Sequence, residues 1–409
     1  MQKSKKEIFA YPQNLHNNPH HSYHDLRVAL VHDFLLYPGG AERVLEVLAE
    51  IFPEAPIYTL LYDSEKMRGM FSGKEIRTSF LQKFPKFLRK KYKLLLPFMP
   101  VAPETWDLRD FDLVISSSGA WSKGIVTKLN TIHIAYIHSP MRFVWDYNER
   151  YLKTNNLQRM TNRIFTRLWL SYLRLWDFEA AQRPDYLIAN SKYTQDRIKK
   201  YYRRESIVIY PPVTKSEIQN LKSETQNSKS ETNSKFFLVV SRLSPYKKVD
   251  LVVEAFNKLE LPLVVIGEGE QYRHLKKIAK SNVKILGWES DKKVAEYYQN
   301  ARAFIFPAED DFGMTAVEAM SYGAPVIALK KGGVVEIVKE GITGEFFDAQ
   351  TPEVLADGVR RFMEKEKSYD RQVIKERAEE FSKERFISEF EAIISNLVKS
   401  KIQNPKSKE

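Results

Sequence analysis

The stretch from Ala303 to Leu329 reads AFIFPAEDDFGMTAVEAMSYGAPVIAL. A short apolar run, Ala303 to Phe306, has the length and composition of a strand. Pro307 ends it, Phe312-Gly313 makes a tight turn, and the helix that follows carries Glu318. A second apolar run, Pro325 to Leu329, closes the unit. The same alternation extends upstream, with strands expected at Phe236 to Ser241, Pro262 to Gly267 and Val283 to Leu286, and a helix at Val249 to Leu259. Strand and helix alternating in this way predict a mostly parallel sheet covered by helices.

A first copy of the pattern lies nearer the N-terminus. Leu26 to His32 reads as a strand, and Val44, Leu45, Val47, Leu48 and Ile51 follow at helix-face spacing. Further apolar runs come at Asp112 to Ser117, Thr131 to Ile137, Asp185 to Asn190 and Ser206 to Tyr210. Tyr210-Pro211-Pro212 stops the pattern. Residues 214 to 235, TKSEIQNLKSETQNSKSETNSK, are polar and near-repetitive, the composition of a linker. The expected organisation is a polar leader (1–25), a first Rossmann-like domain (26–212), a linker (213–235), a second Rossmann-like domain (236–380), and a C-terminal helix and tail (381–409) that pack back on the first domain. Two such domains form a cleft, and ligands favour the carboxyl ends of the strands.

With 409 residues, two domains are the natural expectation. Hydrophobic residues make up 43% and charged residues 28%, which is globular composition. The absence of cysteine excludes disulfides, thiolate-held zinc and a catalytic thiol, and fits a cytoplasmic setting. There is no run of 18 apolar residues to span a membrane, and the first 25 residues lack the apolar stretch of a signal peptide. The His20-His21 pair reads as part of a solvated tail. The 64 basic and 52 acidic residues give a formal charge of +12. That suits nucleic acid, an anionic lipid surface or a phosphate-bearing substrate, and charge alone does not choose among them.

Candidate chemistry clusters at strand ends. Arg242 ends the first strand of the second half and Lys247 follows five residues later. Two cations there suit a diphosphate, Arg by bidentate contact and Lys as a point charge; the alternative is a solvated basic loop. Asp310 precedes the Phe312-Gly313 turn, and Glu318 lies eight residues on. Glycine at 313 admits a close ligand, the N–H groups opening the helix make an anion site, and paired carboxylates suit sugar hydroxyls. Helix capping by Asp310 or Asp311 accounts for one acid, not for the pair with the glycine. Gly267-Glu268-Gly269 and Gly332-Gly333 with Glu336 repeat the strand–glycine–helix arrangement. In the first half, His32-Asp33 ends a strand and Gly39-Gly40 opens a helix without a G-x-G-x-x-G fingerprint, so a dinucleotide site is disfavoured. His138, just beyond another strand, suits a sugar hydroxyl or a structural role.

Taken together, these segments resemble glycosyltransferase family 4, retaining enzymes of GT-B fold, and look closest to its mannosyltransferase-like members of polysaccharide and O-antigen biosynthesis. The resemblance is carried by VHDFLLYPGGAERVLE, IYTLLYD, RTSFLQKFP, DLVISSSGAWSKG and IHSPMRFVWD in the first half, and by SRLSPYKKVDLVVEAF, PLVVIGEGE, ARAFIFPAEDDFG and VEAMSYGAPVIALKKGG in the second. It spans about Leu26 to Thr351. It implies that Arg242 and Lys247 grip the donor diphosphate and that Glu318 holds the ribose. Asp310 and the backbone of Phe312, Gly313 and Met314 hold the hexose, and Gly267 belongs to the donor site. His138 faces the sugar from the other domain, while Asp33, Gly39 and Gly40 line the acceptor side. The family usually has Glu where this chain has Asp310, a shorter reach. Implied as well are a nucleotide-sugar donor, GDP-mannose by resemblance, a glycan or lipid-linked acceptor, and no cofactor or required metal.

Two basic, aromatic stretches, KFPKFLRKKYKLLLP (83–97) and the segment 159–178, suit an anionic membrane surface and would make the enzyme peripheral on the inner face of the cytoplasmic membrane. The alternative is helices packed on the first domain with their basic sides wet. No aromatic-basic motif for nucleic acid is present. A sugar-nucleotide epimerase of the same fold and a non-catalytic sugar-nucleotide or carbohydrate binder remain as rival readings.

Overall fold

The computed structural model describes residues 26–146, 160–213 and 236–403. The leader 1–25, with its histidine pair, and the stretch 214–235 lie outside the described residues. The chain forms two compact units. One runs up to Tyr210 and resumes at Phe386; the other is Pro211–Arg385.

The first unit is built on seven strands: β1 (Val28–Leu35), β2 (Ile57–Tyr62), β3 (Ile76–Thr78), β4 (Leu113–Ser118), β5 (Ile132–Ile137), β6 (Tyr186–Ala189) and β7 (Ile207–Val208). They lie in the order β3-β2-β1-β4-β5-β6-β7, with every pairing parallel. β1 and β4 are buried almost throughout, because helices cover both faces of a parallel sheet. Against it the helix Gly40–Ile51 turns in Val44, Leu45, Val47, Leu48 and Ile51. Phe386, Phe390, Ile394 and Leu397 of the last helix, Lys383–Gln403, join the same core.

The second unit has six strands: β8 (Phe236–Val240), β9 (Leu263–Ile266), β10 (Val283–Gly287), β11 (Ala301–Phe306), β12 (Val326–Leu329) and β13 (Gly344–Phe347). Their order is β10-β9-β8-β11-β12-β13, again all parallel. Sheet and helices therefore give two doubly wound α/β units. Local chemistry starts several of the helices. Ser191, Ser290 and Thr351 each accept a hydrogen bond from the backbone N–H three residues on, and Pro352 sits in the first turn after Thr351.

Three strands carry too weak a pattern to be picked out by periodicity. β3 has three residues, β2 contains Thr59 among aromatics, and β13 contains Glu345. That acid is tolerated in a buried strand because the Tyr369 hydroxyl donates to it and Arg361 and Lys365 flank it.

A buried charge pins the first unit. Asp177, on the helix Met160–Ala180, is fully buried and paired at 2.6 Å with Lys123, itself only 1% exposed. The Trp145 indole N–H and the Tyr202 hydroxyl each donate to its other oxygen at 2.8 Å. One carboxylate thus ties together the turn at Ser122–Gly124, Trp145 and the helix Lys192–Tyr202. Removing it would leave a buried, unpaired ammonium. Asp177→Ala is expected to lower the unfolding free energy by about 3–5 kcal/mol, whereas Lys123→Met with Asp177→Leu recovers only the part due to the unpaired charge, because the Trp145 N–H and the Tyr202 hydroxyl still lack their acceptor. Urea titration of the three proteins checks this; a loss below about 1 kcal/mol in the single variant would show that the pair is dispensable.

Candidate functional site

Each sheet has one place where the strand order reverses. In the first unit β1 and β4 are neighbours, the chain having left β1 toward β2 and β3 and returned to start β4 on the other side. In the second unit β8 and β11 stand in the same relation. Loops leaving such a pair diverge to opposite faces of the sheet, which opens a crevice at the carboxyl ends of the strands.

Four of the nominated donor-side residues gather after β8 and β11: Arg242 and Lys247 on the loop leaving β8, Asp310 on the loop leaving β11, and Glu318 on the helix that follows. Arg242 lies two residues beyond the end of β8, is exposed, and its guanidinium forms no ion pair with the described residues. Lys247 ends the short turn Pro245–Lys247 that leads into the helix Val249–Leu259. Its ammonium is paired with the Asp310 carboxylate on the loop after β11 and lies over the Tyr246 ring at 5.3 Å. The Lys247 and Asp310 side chains are only 21% and 12% exposed, so this is more than a solvated basic loop. Nor does Asp310 cap the next helix: the N-cap position belongs to Gly313, at φ +128°, and the helix runs Met314–Ser321. In that first turn the Ala316 N–H donates to the Gly313 carbonyl at 2.9 Å, while the Met314 and Thr315 N–H groups have no carbonyl of the helix to donate to. Glu318, one turn further along, accepts from the Tyr298 hydroxyl at 3.2 Å, and the Tyr298 ring stacks on Tyr322 with centroids 5.8 Å apart.

Glycines on the neighbouring strand ends hold these loops at close range. Gly267 follows β9 at φ +143°, and a Cβ there would lie 1.9 Å from the Ser241 carbonyl oxygen, immediately before Arg242. Gly333, after β12, donates its N–H to the Asp310 carbonyl at 2.9 Å, and a Cβ on it would meet the Asp311 carbonyl oxygen at 2.2 Å. Neither position admits a side chain without moving a loop that carries a site residue.

The first unit presents a different arrangement at the ends of β1 and β4. Asp33 is buried, and both its oxygens are occupied. Gly119 and Ala120 donate N–H groups to one at 2.9 and 2.7 Å; Trp121 and Ser122 donate to the other at 2.9 and 2.6 Å. Four backbone donors fill the acceptor capacity of one carboxylate, so Asp33 anchors the turn after β4. Gly39 and Gly40 stand at the start of the helix Gly40–Ile51, with Gly39 in extended backbone. His138 follows β5, and its Nε2 pairs with the Ser117 hydroxyl at 2.7 Å; that hydroxyl also pairs with His32 Nδ1 at 3.0 Å. On its far side, His32 Nε2 lies 3.6 Å from Glu42. Burial holds the His138 imidazole down to about 3, with His32 lowering it further and Asp33 opposing, so the ring is neutral. Ser117, Glu42 and Tyr298 were not singled out in the sequence. Each acts by touching a nominated residue across the fold, and a serine on a strand or a tyrosine on a helix carries no local signal of that.

Comparison with known proteins agrees with the architecture. The family model described as "Glycosyltransferase Family 4" matches residues 38–217, and that described as "Glycosyl transferases group 1" matches 222–381. Between them they take up most of the chain, which belongs to the family 4 glycosyltransferases. An uncharacterized glycosyltransferase of Methanocaldococcus jannaschii is 25% identical over 371 residues, covering 88% of this chain and 93% of its relative. O-antigen chain mannosyltransferase C of Escherichia coli is 22% identical, over 60% of this chain and 67% of its own length. Among solved structures, the Anabaena protein HepE in complex with UDP-glucose superposes with a TM-score of 0.63 at 20% identity, covering 91% of this chain and 99% of that one. The fold is GT-B, and the chain is a glycosyltransferase.

Two histidines of the first unit, His133 and the half-buried His138, set a pH dependence. His133 on β5 is fully buried with Nε2 on the Ser116 hydroxyl at 2.8 Å, and burial, with Arg204 and Arg183 adding to it, lowers it to about 3. Its Nδ1 is buried and has no partner among the described residues. Unfolded, both His133 and His138 would titrate near 6.5. Between pH 6.5 and 3 the unfolded chain therefore binds more protons than the folded one. The stability contributed by the neutral rings is complete above pH 6.5 and is lost as pH falls through that window. The urea midpoint should drop between pH 7.5 and 5, and His133→Gln should shrink the drop. An identical pH slope in wild type and variant would contradict the assignment.

Proposed function

We propose that this glycosyltransferase moves a hexose from a nucleoside diphosphate sugar to a glycan or lipid-linked acceptor, with retention at the anomeric carbon, in polysaccharide biosynthesis. The observation that carries this reading is the meeting of Lys247 and Asp310, with Arg242 on the same loop as Lys247, at the β8/β11 reversal. Arg242 grips diphosphate oxygens and Lys247 adds a point charge. Glu318, oriented by Tyr298, accepts from the ribose diol. Asp310 and the backbone at Phe312, Gly313 and Met314 take the hexose hydroxyls. Neutral His138 is a hydrogen-bonding group for a sugar hydroxyl, and the turn anchored by Asp33, with Gly39 and Gly40, belongs to the acceptor side. The favoured donor is GDP-mannose, supported by the likeness to the Escherichia coli mannosyltransferase.

During transfer the bond from the anomeric carbon to the diphosphate oxygen breaks and its electron pair leaves with the phosphate. The acceptor hydroxyl oxygen bonds to the same face, and its proton passes to a leaving phosphate oxygen. No protein nucleophile is needed. Cations fixed beside the leaving oxygens stabilise the charge that grows there, and losing one such contact costs ~3 kcal/mol, or about a hundredfold in rate. The same two side chains supply the positive charge that a divalent cation would otherwise bring.

A membrane-surface acceptor fits the exposed side chains of the first unit. Phe87, Leu94 and Phe98 are exposed among Lys83, Lys86, Lys90, Lys91 and Lys93. On the helix Met160–Ala180, Leu168, Tyr172 and Leu175 form an exposed apolar stripe at helical spacing, opposite the buried Leu170, Leu173 and Trp176. Arg159 lies outside the described residues. No helix among the described residues is long and apolar enough to cross a membrane.

Incubation with GDP-, UDP- and ADP-sugars and a saccharide acceptor should release nucleoside diphosphate only when acceptor is present. Acceptor-independent consumption would favour an epimerase, and binding without turnover a non-catalytic protein. Arg242→Ala and Lys247→Ala should each lower kcat about a hundredfold with an unchanged melting temperature; near-normal turnover in both would remove them from the diphosphate. EDTA should leave the rate unchanged. Vesicles containing phosphatidylglycerol should retain the protein at low salt and release it as salt rises; no retention at low salt would end the membrane reading.

A further inference from the structure

A cavity lies at the carboxyl edge of the first sheet, where β1 and β2 end. It has a volume of about 250 Å³. Tyr37, Tyr62 and Tyr92 line it together with Lys86, Arg89 and Lys90. The wall is built. Gln82 receives the Tyr62 N–H on its side-chain oxygen at 3.1 Å and returns its amide N–H to the Tyr62 carbonyl at 2.9 Å. That two-point clasp joins the end of β2 to the turn Phe80–Lys83, and the short helix Lys86–Lys90 begins four residues after Gln82. Arg89 is held through its Nε on the Phe84 carbonyl at 3.0 Å. Lys66 donates to the Tyr37 hydroxyl at 3.1 Å and lies over its ring.

The charge of the wall is one-sided. Two acids, Asp63 and Glu65, also line the cavity. Asp63 is occupied by the Lys66 ammonium at 3.4 Å and by the Lys66 backbone N–H at 3.3 Å, and Glu65 is exposed. Lys86, Arg89 and Lys90 have no acidic partner among the described residues. Unpaired cations beside tyrosine rings make a surface for an anion attached to a sugar. The cations meet phosphate oxygens, while the rings offer flat apolar faces and hydroxyl tips.

We infer that this cavity binds the phosphate ester of the acceptor, so that the acceptor is a saccharide carrying a phosphate or diphosphate and not a neutral glycan. The inference rests on the proposed transfer reaction and names the chemical class of its second substrate. It also gives part of the +12 charge a location. A free sugar phosphate and a phosphate-linked lipid saccharide share the chemistry, and a vesicle arm separates either from a bare headgroup contact.

The test is a binding measurement that does not depend on turnover. Calorimetry with mannose 1-phosphate is run on the full chain carrying Arg242→Ala and Lys247→Ala, which removes the donor diphosphate site. Adding Lys86→Gln and Arg89→Gln should weaken binding at least tenfold, and the original affinity should fall as salt rises. Mannose itself should bind no better than after the substitutions. Undiminished affinity in the fourfold variant overturns the inference. So does loss of phosphatidylglycerol vesicle binding with sugar phosphate binding intact, because the cations would then serve a headgroup alone. In the otherwise wild-type chain, Lys86→Gln with Arg89→Gln should preserve the thermal shift given by a nucleotide sugar. Absence of that shift from the wild type would instead count against the donor reading.

Discussion

Parallel strand pairing is the constraint from which the rest follows. Two parallel neighbours cannot be joined by a tight turn, so each connection crosses a face of the sheet and all carboxyl ends emerge on one edge. When the chain fills one side of its first strand and then returns to the other, the loops from the central pair part. This happens twice here, at β1/β4 and at β8/β11. The residues with chemistry to offer lie on the loops from these pairs and from their neighbours.

The two reversals are equipped in opposite ways. At β8/β11 the loops are held by glycine contacts, and the loops with the helix after them carry one exposed guanidinium, one ammonium–carboxylate pair and one glutamate that accepts from a tyrosine hydroxyl. At β1/β4 an acid turns inward and its four backbone contacts fix the loop itself. The first arrangement suits a charged leaving group, which needs preorganised positive charge. The second suits a surface whose shape matters more than its charge. The neutral His138, its Nε2 engaged by Ser117, fits that character: a hydrogen-bonding group without a net charge.

Buried polar groups in the first unit serve position. Asp177 joins three segments that periodicity would treat as independent, and the His32–Ser117–His138 row runs across the strand ends from β1 through β4 to β5. Such networks stabilise only when each member is satisfied, and for that reason they fix a single arrangement of the loops around them. The basic residues are handled differently. Many pair on the surface, where the effect on stability is small, while Lys86, Arg89 and Lys90 gather at one edge without acids.

The sequence by itself determined the alternation of elements, and with it the parallel doubly wound class, because apolar runs of strand length and helix-face spacing are local signals. It also nominated Arg242, Lys247, Asp310 and Glu318, since strand ends followed by glycine turns can be read from residue order. Weakly patterned elements escaped it: β3 is too short, and β13 hides a glutamate whose partners, Arg361 and Tyr369, lie later in the chain. Only the tertiary structure decided what each site residue touches. That Asp310 meets Lys247 across 63 positions and Asp33 grips a turn 86 to 89 residues away depends on which strands become neighbours. Strand order is a property of the assembled sheet, set by the packing of all its helices at once, and no local stretch of residues encodes it.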